Sequence, residues 1–172
     1  VGGNYYFFDL HVGNSEMVWQ KDDVIFQVNS VIFDIAGASV TLEDSSIVSI
    51  TSLYTSPAIY IYNDPTSTTS ISLVLINSTF ADNEAATIAG AIQTVNTNTT
   101  IQDCLFEDNR AGEQGGALFL SCEDSAKLVC QYDIAGTTFK NNSAPLNGGA
   151  IKYDFYAPTL GAGNVFEGNS AQ

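Results

Sequence analysis

Apolar side chains in this chain recur at every second position in short runs, and the runs stop at Gly, Asn, Asp or Ser. No stretch keeps the three-to-four-residue spacing of an amphipathic helix, and Thr, Val, Ile, Phe and Tyr are frequent, so the pattern predicts short strands joined by tight corners. The runs also resemble one another. Phe80-Ala-Asp-Asn-Glu-Ala85, Phe106-Glu-Asp-Asn-Arg-Ala111, Phe139-Lys-Asn-Asn-Ser-Ala144 and Phe166-Glu-Gly-Asn-Ser-Ala171 share the form F-x-x-N-x-A. Eleven residues after the first three Phe come Ala91-Ile92, Ala117-Leu118 and Ala150-Ile151, each preceded by Gly, and Ile47 stands at the same offset from Ala58-Ile59.

From Ile47 onward the marker residues are separated by 33, 26, 33 and 27 positions. A unit of about 26 residues therefore carries an insertion in alternate copies. The insertions are the turn-rich stretch Asn63 to Ser70 and the stretch Cys122 to Cys130, both just after the Ala-Ile strand, so one corner of each unit tolerates loops. Leu42, Leu75, Ile101 and Ile134 form a column five residues before the marker, and Ser45, Ser78, Cys104 and Thr137 a small column two before it. Residues two apart on a strand share a face, so both columns point inward, while Val48, Ala81, Glu107, Lys140 and Glu167 point out.

A unit this short cannot bury its own apolar face and must stack on its neighbours. The fold that follows is all-β, a parallel β-helix of about six rungs, each of about three short strands, with rungs about 4.8 Å apart. Asn83, Asn109, Asn142 and Asn169 then lie one above another at a corner as an Asn ladder, where Asn tolerates left-handed backbone and bonds to the amides above and below. The Gly pairs at 115–116 and 148–149 mark bends where a Cβ would clash.

At these residues the sequence resembles the F-x-x-N and G-G-A-[ILV] repeats of chlamydial polymorphic outer-membrane proteins and of very large secreted protist proteins, over roughly residues 75 to 172. The resemblance implies a right-handed, pectin-lyase-like β-helix in a surface adhesin or other extracellular protein. Residues 1–46 match it poorly and are expected to hold weakly marked first rungs, one of them around Trp19 to Phe33.

The two ends complement each other. Phe166-Glu-Gly-Asn169-Ser-Ala171-Gln172 stops where a Gly-Gly strand falls due, and Val1-Gly2-Gly3-Asn-Tyr-Tyr begins with one. The expectation is a single β-helix segment over 1–172 that continues head to tail with copies of itself through this junction, with six rungs spanning about 29 Å. No Met or signal-type segment opens the chain, which suggests a processed product or a piece of something longer.

Composition narrows the function. Five Lys and Arg against 19 Asp and Glu give a net charge of −14, which repels nucleic acid and anionic membrane surfaces. The longest apolar runs are strand-length, so no membrane insertion by this segment is expected. One His (His11) and one Arg (Arg110) leave few general bases or anion clamps. Asp22-Asp23, Glu43-Asp44, Glu107-Asp108 and Glu123-Asp124 are carboxylate pairs, but strand neighbours face opposite ways and no basic cluster accompanies them. The expectation is therefore a solvated acidic surface with no catalytic residues and no resident cofactor. Outward carboxylates offer Ca²⁺ a bridge between neighbouring copies.

Cys122 and Cys130 bracket one loop and are expected to form a disulfide, as suits an oxidising, extracellular or cell-surface location, while Cys104 in the small inward column reads as a buried thiol. Asn77, Asn98 and Asn141 are N-glycosylation sequons. Asn77 faces outward, and Asn141 lies at a tight corner and is expected to be the least accessible of the three. These features favour a non-enzymatic structural protein stacking into a cell-surface filament, decorated by N-glycans. The alternatives are an adhesin binding cells through its exposed loops, and a polysaccharide lyase or hydrolase.

Overall fold

The computed structural model describes residues 10–13, 16–20, 24–26, 33–52, 57–123 and 129–172, with side chains described from Gly37 onward. Every strand pairing in it is parallel, and the strands form four sheets. The first sheet stacks Leu10–Gly13, Phe33–Ala36, Ile59–Tyr62, Ile92–Val95, Leu118–Ser121 and Ile151–Asp154. The second stacks Glu16–Gln20, Ser39–Glu43, Ser72–Ile76, Asn98–Gln102, Tyr132–Ala135 and Thr159–Leu160. The third runs through Val24–Phe26, Ser46–Val48, Thr79–Ala81, Leu105–Glu107, Thr138–Lys140 and Val165–Glu167. The fourth contains the two-residue strands Thr51–Ser52, Glu84–Ala85, Arg110–Ala111, Ser143–Ala144 and Ser170–Ala171. The chain visits the sheets in turn and rises one strand per circuit. The architecture is a right-handed parallel β-helix.

Each of the five circuits from Phe33 onward has four strands rather than three. The fourth is two residues long, too short to display alternation in the sequence, but it pairs in register, with Ala85 beside Ser52 and Ala111. The marker column runs through the third sheet as Ile25, Ile47, Phe80, Phe106, Phe139 and Phe166, all paired directly. Ile25 thus marks a rung in the weakly patterned region, and Trp19 pairs with Leu42 in the same circuit.

The core is the inside of the coil. Ile47, Phe80, Phe106 and Phe139 are at most 1% exposed, and Leu42, Leu75, Ile101 and Ile134 face them from the second sheet with the same burial. Phe80, Phe106, Phe139 and Phe166 stack face to face, with ring centroids 4.8 to 5.0 Å apart and planes within 9°. In-register parallel strands impose that spacing, and it is one at which aromatic faces remain in contact.

The corners explain the Gly, Asn and Asp. Asp44, Asn77, Asp103, Gly136 and Gly163 have positive φ at the corner between the second and third sheets, and Ser49, Asp82, Asp108, Asn141 and Gly168 at the next corner. The left-handed residue there is thus the one before each ladder Asn. Asn83, Asn109, Asn142 and Asn169 themselves are absent from the positive-φ set, so their conservation of type from rung to rung comes from side-chain bonding rather than from tolerance of αL backbone. At Gly116 a Cβ would lie 1.9 Å from the Gly149 carbonyl oxygen of the rung above, which is why the Gly column permits the close approach.

Candidate functional site

The most organised polar chemistry in the molecule lies in two side-chain ladders at the corners flanking the Phe sheet. In the first, the Oδ1 of each Asn accepts from the rung below, Asn83 one bond, from the Ile50 N–H at 3.1 Å, and the other three two bonds each. Asn109 Oδ1 accepts the Asn83 backbone N–H at 3.2 Å and Asn83 Nδ2 at 2.9 Å, and Asn142 Oδ1 accepts the same two donors of Asn109 at 3.0 and 2.9 Å. Asn169 Oδ1 serves Asn142 likewise, both at 2.9 Å. Each Nδ2 also donates to the carbonyl of the marker residue one rung down: Ile47 for Asn83, Phe80 for Asn109, Phe106 for Asn142 and Phe139 for Asn169. Asn83, Asn109 and Asn142 are fully buried, so both N–H bonds of each amide and its oxygen are satisfied without water.

The second ladder is the small column. Ser45 N–H donates to Ser78 Oγ, Cys104 N–H to Thr137 Oγ1, and Thr137 N–H to Asn164 Oδ1. The hydroxyls of Ser45, Ser78 and Thr137 donate back to the carbonyl two residues earlier, and Cys104 Sγ does the same to Gln102 O at 3.2 Å. Cys104 is thus a thiol in a hydroxyl position. Sequence alone read this column as small; the signal that could have revealed the ladder is that Ser, Cys and Thr share a polar hydrogen as well as a size.

Burial pushes the Cys104 thiol up to about 11 from an ordinary 9.0, backbone bonding to Ser78 and Gln102 partly opposing it. A thiol that holds its proton more tightly when folded stabilises the native state below about pH 9, and that contribution is lost as the pH rises towards 11. Tyr132 moves in the same direction by burial. Native protein at pH 8 is therefore expected to react with a thiol-alkylating reagent far more slowly than denatured protein, and Cys104→Ser should flatten part of the fall in stability between pH 9 and 11. Rapid native-state alkylation, or an unchanged pH slope in the variant, would contradict the burial argument.

Tyr132 holds the only buried side-chain oxygen or nitrogen without a partner among the described residues, its hydroxyl. An unpaired buried hydroxyl costs roughly 1–3 kcal/mol. Tyr132→Phe is expected to leave the thermal midpoint unchanged or raise it by a few degrees. A lower midpoint in calorimetry would reveal a bound partner for the hydroxyl.

The outer surface holds charges without a converging site. The three described cations are each paired: Lys140 Nζ donates to Glu107 Oε1 at 2.6 Å, Arg110 Nε lies 4.0 Å from Glu84 Oε1, and Lys152 bonds Asp154 while lying 5.7 Å from the centre of the Phe119 ring. The carboxylates of Glu43-Asp44 and Glu107-Asp108 divide between a strand face and a positive-φ corner. Asp22-Asp23, Asp124, Val1, Gly2 and Gly3 lie outside the described residues, as does the side chain of His11. Among the described residues no group of three His, Cys, Asp or Glu side chains could hold a metal ion, and no helix is long and apolar enough to cross a membrane.

The Cys122 and Cys130 sulfurs are bonded, with Cα atoms 6.0 Å apart, and Cys104 is free and buried. Loop 63–70 leaves the same corner two rungs lower and is held by Asn63 Nδ2 donating to Thr69 O at 2.8 Å. Of the sequons, Asn98 is half-buried with its Oδ1 accepting the Gln131 N–H, while Asn77 and Asn141 are both exposed and both in left-handed corners. The corner therefore does not set Asn141 apart from Asn77. The difference is that Asn77 Nδ2 donates to Asp44 Oδ1 at 2.6 Å. At the far end, Phe166 stacks on Phe139, Ala171 pairs with Ala144, and Asn169 tops the ladder, followed by Gln172.

Residues 103–121 and 136–152, which contain two F-x-x-N corners and their G-G-A strands, match the Chlamydia polymorphic membrane protein repeat. The chain carries repeats of this type. No curated protein and no solved structure matches it. The matched segments coincide with rungs whose Phe stacking, Asn bonding and Gly close approach are described above, so the family motif corresponds to the inward columns and corners of the coil.

Proposed function

We propose that the chain is a non-enzymatic structural segment of a cell-surface or extracellular protein, a rigid β-helical rod that extends end to end with further rungs of its kind. The observation that carries this reading is the unbroken column from Ile47 through Phe80, Phe106 and Phe139 to Phe166, with bonding in register at every step. Such a stack supplies length and stiffness and leaves the outer faces and loop corner free for decoration, including N-glycans at the exposed Asn77. The polymorphic membrane protein repeat supports a surface location, and the divided carboxylates and paired cations support a role without catalysis.

Electron microscopy of the isolated protein at high concentration is the test. Fibres built from units about 29 Å long are expected. Discrete short particles at every concentration would overturn stacking between copies of the chain.

A second reading, adhesion through the loops, draws support from the two insertions leaving one corner two rungs apart, the upper closed by the Cys122–Cys130 disulfide and the lower pinned by Asn63. Loss of cell binding on shortening both loops, with the fold intact, would favour it over a purely mechanical role.

A further inference from the structure

The two insertions meet at one side chain in the rung between them. Asn63, Asn96 and Cys122 hold the same position in three successive rungs, since each follows the end of a paired strand, at Tyr62, Val95 and Ser121. The lower insertion starts at Asn63 and the upper at Cys122, whereas the middle rung turns without one, through Asn96 and Thr97 into the strand Asn98–Gln102. Asn96 Nδ2 donates to Asn63 O at 3.1 Å, and Asn96 Oδ1 accepts the Glu123 N–H at 2.8 Å. Asn63 O and Glu123 N belong to peptides 63–64 and 122–123, the opening peptide of each insertion. One amide therefore holds both loops at their base, the lower by its donor and the upper by its acceptor.

The bonding continues outward from both bases. Below, Asn63 Nδ2 donates to Thr69 O at 2.8 Å, and Asp64 Oδ1 accepts from the Thr66 N–H at 2.7 Å and from Thr66 Oγ1 at 2.6 Å. Above, Cys122 is bonded to Cys130. Asn63, Asn96, Cys122 and Cys130 are each at most 5% exposed, so the attraction between these groups is weakly screened. Asn96 also has a φ of 53°, in the left-handed region. At the corner of the Asn ladder the left-handed residue and the bonded Asn are neighbours, while here one residue serves as both. Asn tolerates that backbone and carries a donor and an acceptor on one short side chain, whereas ionised Asp lacks the donor and Gly lacks both.

We propose that the two insertions form one coupled unit, with Asn96 the positioning residue through which a displacement of either loop reaches the base of the other. Such coupling is reciprocal. It holds whether the chain serves as a rod or binds cells through its loops. In the second case the contact surface is set by both loops together.

Hydrogen exchange at the Glu123 amide of the full, disulfide-bonded chain tests this, with the amides of Leu105–Glu107 as the internal control. Asp64→Ala loosens the lower turn at an exposed position away from the core, and is expected to speed Glu123 exchange about threefold. Asn96→Gly keeps the left-handed corner but removes both bonds. It is expected to speed Glu123 exchange about tenfold and to abolish any further effect of Asp64→Ala. Asn96→Asp keeps the acceptor and drops the donor, so Glu123 should stay protected as in the parent while Asp64→Ala no longer reaches it. Simple capping of the Glu123 N–H would leave the Asp64→Ala effect in place in that variant. Parental Glu123 exchange in Asp64→Ala alone overturns the coupling. An Asp64→Ala effect of equal size in the parent, Asn96→Asp and Asn96→Gly backgrounds overturns the role of Asn96.

Discussion

Replacing Asn109 by Ala is expected to destabilise the protein by about 3–5 kcal/mol and to lower its thermal midpoint by about 10 °C. The side chain makes four hydrogen bonds, accepting the Asn83 N–H and Nδ2 and donating to Phe80 O and Asn142 Oδ1. Asn83, Asn109 and Asn142 are all 0% exposed, so truncation strands a backbone N–H, a backbone carbonyl, an amide hydrogen and part of an amide oxygen where water has no ready access. A typical surface substitution falls within about 0.5 kcal/mol. The internal control is Asn169→Ala, whose side chain likewise serves the rung below but sits at the less buried end of the ladder and has no acceptor above; its cost should be clearly smaller. Chemical denaturation of the two variants beside the parent decides the matter. A loss under about 1 kcal/mol at Asn109 would mean that water enters the corner and that the ladder contributes register rather than stability.

What was legible in the sequence follows from which features a stack repeats. Parallel in-register pairing puts the same position of each unit in the same environment, so Phe80, Phe106, Phe139 and Phe166, and the Asn three residues after each, recur visibly and give the fold and its core. The fourth sheet escaped because Glu84–Ala85 and its partners are two residues long, shorter than the period-two signal. The hydrogen-bonding role of Ser45, Ser78, Cys104 and Thr137 was hidden behind their common small size. The αL backbone was assigned one residue late, because Asn is suited both to that conformation and to a ladder, and here Asp82, Asp108 and Asn141 carry the first role and the following Asn the second. Register before residue 47 was obscure since the rung from Ile25 to Ile47 is 22 residues long, shorter than the later units, and has Ile in place of Phe. The direction of the ladders is a matter of which atom donates, and residue identity is silent on that.

Phe106→Ala is the companion prediction, and it tests the column rather than the corner. The ring is fully buried between Phe80, 4.8 Å away with planes 9° apart, and Phe139, 5.0 Å away with planes 6° apart. Truncating a buried Phe to Ala typically costs about 3–5 kcal/mol, and each lost ring contact adds about 0.5–1.5 kcal/mol beyond area burial. Phe106→Ile should cost markedly less, because Ile47 already occupies the equivalent position beneath Phe80 with 1% exposure and shows that the column accepts a branched aliphatic side chain. The Ala variant should also unfold differently. Each rung touches only its neighbours, so cooperativity passes along the stack through nearest-neighbour interfaces. A cavity at Phe106 weakens both interfaces of one central rung and uncouples the strands on either side. The expected outcome is a denaturation curve with a lower midpoint and a shallower slope, and earlier hydrogen exchange at Leu105–Glu107 than in the parent. A full loss of stability with the parent's slope retained would instead mean that the coil unfolds as one indivisible unit, and that its rungs are too strongly coupled for nearest-neighbour bookkeeping.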